Sequence, residues 1–176
     1  MTEWTLNAGA ISLGLLVGRL VVGVGMAAHG AQKLFGWFGG HGRTGTGGYL
    51  ESLGFRPGKV FATLAGTGEF LSGLLVALGL FFPLGPALMV AVMVVAILTQ
   101  HLHNGFFAMN GGFELPLLYA TAAVALAFTG PGAYSLDTAL GVTITSDVTV
   151  DIIVLAVAIL AALALVAVRR PTPAPR

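Results

Sequence analysis

Long apolar stretches dominate this chain, and short polar segments separate them. A helix that crosses a bilayer needs about 20 consecutive apolar residues. Stretches close to that length predict five transmembrane helices, at residues 10–35, 60–82, 86–102, 114–129 and 150–168. The turn sequence Phe82-Pro83-Leu84-Gly85-Pro86 joins the second and third stretches and predicts an antiparallel hairpin. The pattern therefore predicts an all-α membrane protein.

Composition supports this prediction and excludes several kinds of chemistry. Hydrophobic residues make up 56% of the chain and charged residues only 9%, whereas soluble domains carry about 25% charged residues. The lipid bilayer is therefore the first partner that the sequence predicts. The chain has no cysteine, which excludes disulfides, cysteine-ligated iron–sulfur clusters, thiolate metal sites and thiol relays within it.

Basic residues collect at two places, which lie on the same side of a five-helix arrangement. One group surrounds the connection between the first two predicted helices, and the other follows the fifth: Lys33, Arg43, Arg56, Lys59, and Arg169, Arg170, Arg176. The opposite side carries acidic residues and no Lys or Arg: Glu3, Asp137, Asp147 and Asp151. Lys and Arg accumulate in short cytoplasmic loops. We therefore expect a multi-pass protein of the bacterial cytoplasmic membrane, with the N-terminus outside and the C-terminus inside.

The predicted organisation is a four-helix membrane bundle at residues 1–137, an external loop at 138–149, the fifth helix at 150–168 and a disordered basic tail at 169–176. The glycine-rich loop at 36–58 contains a segment around Tyr49 that predicts a short interfacial helix. This loop lacks P-loop spacing and no strand precedes it, so a nucleotide site is not expected. We expect no nucleic-acid partner, and the sequence leaves a homo-oligomer open.

Ionisable residues inside apolar helices are costly to insert, so each one is a candidate functional residue. Arg19, His29 and Lys33 share one face of the first predicted helix, because a helix turns by about 100° per residue. Glu69 lies in the second predicted helix between two glycines that allow another helix to approach closely. A comparison of depths predicts an Arg19–Glu69 ion pair. A structural clamp and a catalytic or ligand-gating role both remain open for it.

A second polar group is predicted at the cytoplasmic end of the bundle, where His29, Lys33, His101 and Glu114 collect. His101 and His103 lie about 200° apart on a helix, so at most one of them can face the bundle interior. The alternatives are interfacial anchoring for the histidines and interaction with the helix macrodipole for Glu114.

Quinone is the cofactor that this polar group fits best, because a quinone head group needs a donor or two and an apolar slot. The candidate polar residues are His29, His101 and Glu114, and the candidate walls are Phe106, Phe107 and Phe113. Haem is disfavoured, because His29 and His101 are the one histidine pair available and no supporting spacing accompanies them. No metal site is expected.

Several separated motifs resemble the DoxX family of small bacterial membrane proteins. They are Arg19 followed by His29-Gly30-Ala31-Gln32-Lys33-Leu34-Phe35-Gly36, Glu69 with Gly73, the segment NGFFAMNGGFELPLL at 104–118, and GPGAYSLD at 130–137. The resemblance spans about residues 13–137. It implies a DoxX-like four-helix transmembrane bundle, to which this chain adds a fifth C-terminal transmembrane helix.

The resemblance also implies a link to redox chemistry. The family takes its name from a subunit of a thiosulfate:quinone oxidoreductase, and relatives are linked to membrane-bound redox-defence assemblies with soluble partners. We therefore expect a quinone-linked membrane subunit that docks a redox enzyme. A structural or assembly protein without catalysis and a small transporter are the alternatives, and whether the chain is itself an enzyme stays open.

Reporter fusions test the predicted orientation. We predict that reporters fused after Phe38 and after Arg170 both read cytoplasmic, because basic loops are retained inside. A reporter placed in the loop at 134–149 should read external. A cytoplasmic signal from that third fusion would contradict the five-span prediction.

Overall fold

The structure is a computed structural model that describes residues 7–142 and 147–170, and every regular element in these ranges is helical. Five helices are long: α1 (Ala8–Phe35), α3 (Gly58–Leu78), α4 (Leu84–Ala96), α5 (Glu114–Thr129) and α7 (Val148–Ala167). Two are short: α2 (Gly42–Ser52) and α6 (Leu136–Leu140). A π-helical turn (Ile97–His101) and a 3-10 turn (Leu102–Asn104) extend α4, and further 3-10 turns lie at Trp37–Gly39 and Ala108–Asn110. The predicted all-α fold class is confirmed.

In the described part of the chain, four helical segments are long and apolar enough to cross a membrane: α1, α3, the stretch Leu84–Asn104 that contains α4, and α7. The fifth apolar helix, α5, is shorter at 16 residues, which is about 24 Å at 1.5 Å per residue. Hydrocarbon thickness is about 30 Å, so α5 reaches across it only with help from its flanking turns. The chain is a multi-pass membrane protein, and the count of five crossings stays a prediction.

The long helices form a closed bundle of four with a fifth helix beside it. Helix α1 packs along α3, α3 packs on α4, α4 packs on α5, and α5 returns to α1. The C-terminal helix α7 packs mainly against α4, and α2 lies over α3 and the end of α1. A short helix was expected near Tyr49, and α2 contains this residue.

Both basic regions lie at one end of the bundle, as the charge pattern predicted. The amide of Arg170, just after α7, donates to the carbonyl of Gly54 in the turn between α2 and α3 (2.8 Å). The Arg169 guanidinium lies 3.5 Å from the Thr99 carbonyl in the π-helical turn. We call this the basic end and the other the acidic end. Glu3, part of the predicted external loop (143–146) and the end of the predicted disordered tail (171–176) fall outside the described residues.

Glycines set how closely α1 and α3 approach. A Cβ added to Gly30 would lie 2.4 Å from the amide nitrogen of Phe70, and one added to Gly23 would lie 2.5 Å from that of Ala77. From the α3 side, a Cβ on Gly73 would lie 2.4 Å from the amide nitrogen of Ala27. No side chain fits at such distances, so the two backbones are in direct contact. Small residues allow this contact between membrane helices, where burial from water supplies no driving force.

We predict that Gly30→Ala lowers thermal stability in detergent, because the added methyl forces α1 away from α3. The cost expected for such overpacking is about 1–3 kcal/mol. Gly18→Ala is the matched control, since a Cβ at Gly18 meets nothing within 4 Å. Equal melting temperatures for the two variants would contradict the close contact.

Candidate ligand-binding site

A cavity of about 620 Å³ lies in the half of the bundle near the basic end. Its lining is apolar over most of its extent, from Met26 of α1 through Leu64 of α3, Val92 of α4 and Leu165 of α7. The polar side chains of the lining, which together we call the polar end of the cavity, are His29, Lys33, Glu69, Thr99, Gln100, His101 and Tyr119. The cavity therefore combines a polar end with a long apolar remainder.

The central polar feature is an ion pair between α1 and α3. Lys33 Nζ lies 2.5 Å from each carboxylate oxygen of Glu69. Glu69 is 5% exposed and Lys33 is 30% exposed, so the lysine extends from the wetter helix end to a buried carboxylate. Gly66 makes room mainly for the neighbouring Leu34 of α1, because a Cβ there would lie 2.8 Å from Cγ of Leu34 and 3.1 Å from Cβ of Lys33. The buried acid is thus compensated by a cation that stays partly accessible.

The predicted Arg19–Glu69 pair is wrong. The close contacts of Gly23 with Gly73 and of Gly30 with Gly66 fix the register of α1 against α3. In this register Glu69 lies level with His29, whereas Arg19 lies level with the end of α3. The sequence estimate measured depth from helix ends, which do not coincide in the bundle.

Arg19 belongs to a separate cluster at the acidic end. It is fully buried, and its Nη2 donates to the carbonyl of Tyr134 at 2.5 Å. The Asp137 carboxylate acts on it electrostatically and accepts the amides of Phe81 and Phe82 at 2.8 and 2.9 Å. Arg19 therefore ties α1 to the turn after α3 and to the segment after α5. These contacts match the structural clamp that the sequence left open for Arg19, although Arg19 makes them with other partners than Glu69.

His29 projects into the cavity in a defined tautomer. Gln32 Nε2 donates to the carbonyl of Phe38 (3.2 Å), which turns the amide oxygen of Gln32 toward His29. His29 Nδ1 lies 3.3 Å from that oxygen and donates to it. The neutral ring then carries its lone pair on Nε2. The ring also makes an edge contact with Tyr119, with centroids 6.0 Å apart.

His101 lies in the π-helical turn Ile97–His101, a local widening of a helix that is common at functional sites. Its Nδ1 lies 2.7 Å from the carbonyl of Gly111, which can only accept, so Nδ1 carries the proton. Nε2 of His101 is again left as the free acceptor. His103, two residues further on, is exposed and is not part of the cavity lining. At most one of these histidines was predicted to face the interior, and of the two only His101 lines the cavity.

Glu114 and the three phenylalanines lie outside the cavity lining. Glu114 accepts the amide of Ala108 at 2.9 Å and so closes the loop before α5. Phe106 packs edge-on against Phe107 and Phe113, with centroids 5.3 and 5.5 Å apart. These rings contact one another because the loop folds back on itself, with the amide of Phe113 donating to the carbonyl of Gly105. The predicted quinone-pocket walls therefore do not line the cavity.

Other residues supply the walls, and sequence reasoning missed them. Aromatic surface comes from Phe55, Phe61 and Tyr119, and small residues Ala161 and Ala162 contribute from α7. Tyr119 is a polar residue within an apolar helix, and that signal was available in the sequence. Its hydroxyl is directed at Gly25, where an added Cβ would lie 2.5 Å from it. Among the described residues, no three His, Asp or Glu side chains come together to hold a metal ion.

A double-mutant cycle tests the ion pair. We predict that Lys33→Met and Glu69→Leu each destabilise the bundle in detergent, because each leaves an uncompensated charge in an apolar site. The double variant should recover a coupling energy of about 0.5–3 kcal/mol. The cycle of Arg19→Leu with Glu69→Leu is the control and should be additive. Coupling in the Arg19 cycle and none in the Lys33 cycle would contradict the pairing described here.

Comparison with known proteins agrees with the resemblance noted from the sequence. Comparisons with curated proteins and with solved structures find no significant match. The model of the DoxX family matches residues 14–102, just over half of the chain. The matched residues include α1, α3 and α4 with both members of the Lys33–Glu69 pair, and they end before α5 and α7. The chain is a member of the DoxX family of membrane proteins.

Proposed function

We propose that this protein holds the head group of a membrane quinone at the polar end of the cavity and serves as a quinone-linked subunit beside a redox enzyme. The observation that carries the proposal is the cavity itself. It has about 620 Å³ of space and apolar walls, and its lining includes an ion pair and two imidazoles. Pockets for small ligands fall in the range of about 300–1,000 Å³ and combine apolar walls with few polar groups.

The polar groups match the chemistry of a quinone ring. Quinone carbonyls accept hydrogen bonds, and the partly exposed ammonium of Lys33 is a donor on the cavity lining. Quinol hydroxyls donate, and Nε2 of His29 and of His101 is the free acceptor in the tautomers described above. The same end of the cavity therefore offers partners to both redox forms.

Proton and electron supply would come from different sources. Reduction of a quinone consumes two protons and two electrons, and imidazole is the side chain best suited to exchange protons near neutral pH. His29 and His101 are the groups that we assign to this exchange. The chain has no cysteine from which to build an iron–sulfur cluster or a dithiol, so we assign electron delivery to a partner enzyme.

We place that partner on the cytoplasmic side, together with the basic end. Four basic residues surround the segment from α1 to α3, and the hydrogen bond from Arg170 to Gly54 brings the end of α7 to the same place. The positive-inside rule then supports an N-terminus outside and a C-terminus inside, in a bacterial cytoplasmic membrane. The polar end of the cavity would lie near that partner.

The competing proposal is a structural protein in which the Lys33–Glu69 pair only organises helices. Lys33 and Glu69 compensate much of each other's charge, so the pair does not by itself require a ligand. The two imidazoles distinguish the proposals, because neither is needed to compensate Glu69 and both histidines line the cavity.

Quinone retained through purification tests the proposal. We predict that the parent protein co-purifies with quinone and that His29→Ala and His101→Ala each reduce the retained amount several-fold, since each removes a head-group partner. His103→Ala is the matched control, because His103 is exposed and lies away from the cavity. Melting temperatures of the three variants verify that the bundle stays folded. If folded His29→Ala, folded His101→Ala and the parent retain equal amounts of quinone, the competing proposal of a structural protein is favoured.

A further inference from the structure

The cavity reaches the outer surface of the bundle at two residues on different helices. Leu64 of α3 lines the cavity and is 54% exposed. Ala161 of α7 also lines the cavity and is exposed. Both lie within helices that are apolar enough to span the membrane, so an opening at these residues would lead into hydrocarbon.

Helix packing explains why an opening exists between them. Both α3 and α7 pack on α4, and within the described residues they make no substantial contact with each other. A gap therefore runs between α3 and α7 over α4. Towards the basic end it is closed by the hydrogen bond from the Arg170 amide to the Gly54 carbonyl and by buried Phe55, whose ring lies 5.1 Å from that of Phe61.

The surface along this gap is continuous with the polar site and is apolar. Phe61 and Leu64 form one side, Ala161 and Leu165 form the other, and Ala96 of α4 contributes to the floor. Small side chains at Ala161 and Ala162 keep the α7 side shallow. An apolar channel that begins at a polar pocket and ends at hydrocarbon complements an amphiphile with a polar head and a long apolar tail.

We propose that the gap between α3 and α7 is a lateral portal that holds the hydrocarbon tail of the ligand while its head group lies beside Lys33 and Glu69. This inference rests on the proposed function and adds to it the route by which the ligand enters and the position of its hydrocarbon tail. Helix α7 lies beyond the residues that the family model matches, so this chain supplies one wall of the portal from its own C-terminal helix. The ligand class is a membrane-borne quinone with a long chain.

A plug at the portal tests this assignment. The parent protein and Ala161→Trp are reconstituted in phosphatidylcholine nanodiscs and titrated with two probes: a benzoquinone that carries a decyl chain and the same benzoquinone without the chain. The indole should occupy the gap and displace the tail. Loss of the burial of two methylenes alone corresponds to about a tenfold loss of affinity, so we expect at least that for the decyl probe and no change for the tailless probe.

Ala156→Trp is the matched control for a bulky residue on α7. Ala156 is exposed and lies five residues before Ala161, on the opposite side of the helix from the cavity-lining residues. It should leave both affinities unchanged. If the parent binds both probes and Ala161→Trp weakens neither, the portal is wrong and the proposed function stands. If the parent binds neither probe, the proposed function is wrong and the portal falls with it.

Discussion

A carboxylate at the depth of Glu69 needs a cation at the same depth, and the glycine contact between α1 and α3 provides it. Gly30 and Gly73 bring the two backbones together, which fixes the register and places Lys33 2.5 Å from the Glu69 oxygens. Gly66 then leaves space for the side chain of Leu34 and for the base of the Lys33 side chain. Without this contact Glu69 would be an unpaired charge in hydrocarbon, which costs several kcal/mol.

The register set by this contact also places Arg19 far from Glu69, so the two ends of the bundle have different roles. At the acidic end, buried Arg19 and Asp137 hold α1, the turn after α3 and the segment before α6 together through backbone groups. At the basic end, Glu69 and the two histidines have polar partners, and these residues line the cavity. The acidic end is closed and structural, whereas the basic end has space and unused hydrogen-bonding capacity.

Much of the fold could be predicted from the sequence, because a membrane-spanning helix is recognised by the length of its apolar stretch. The helical class, the hairpin between α3 and α4 and the inward placement of one of the two neighbouring histidines followed from hydropathy and helical periodicity. The partner of Arg19 did not, because it depends on register, and register is set by contacts between backbones rather than by distances from helix ends. The walls of the cavity did not either: Phe106 lies in a loop that folds onto itself, and Ala161 becomes a wall residue only through the packing of α7.

Photolabelling tests whether the cavity between the helices binds a quinone head group. A benzoquinone bearing an azide on its ring is activated in membranes that contain the protein, and mass spectrometry of the digested chain locates the adduct. We predict labelling at or beside His29, His101 or Tyr119, with competition by excess unmodified quinone. Competable labelling confined to Phe106, Phe107 and Phe113, or to lipid-facing residues remote from the cavity, would contradict it.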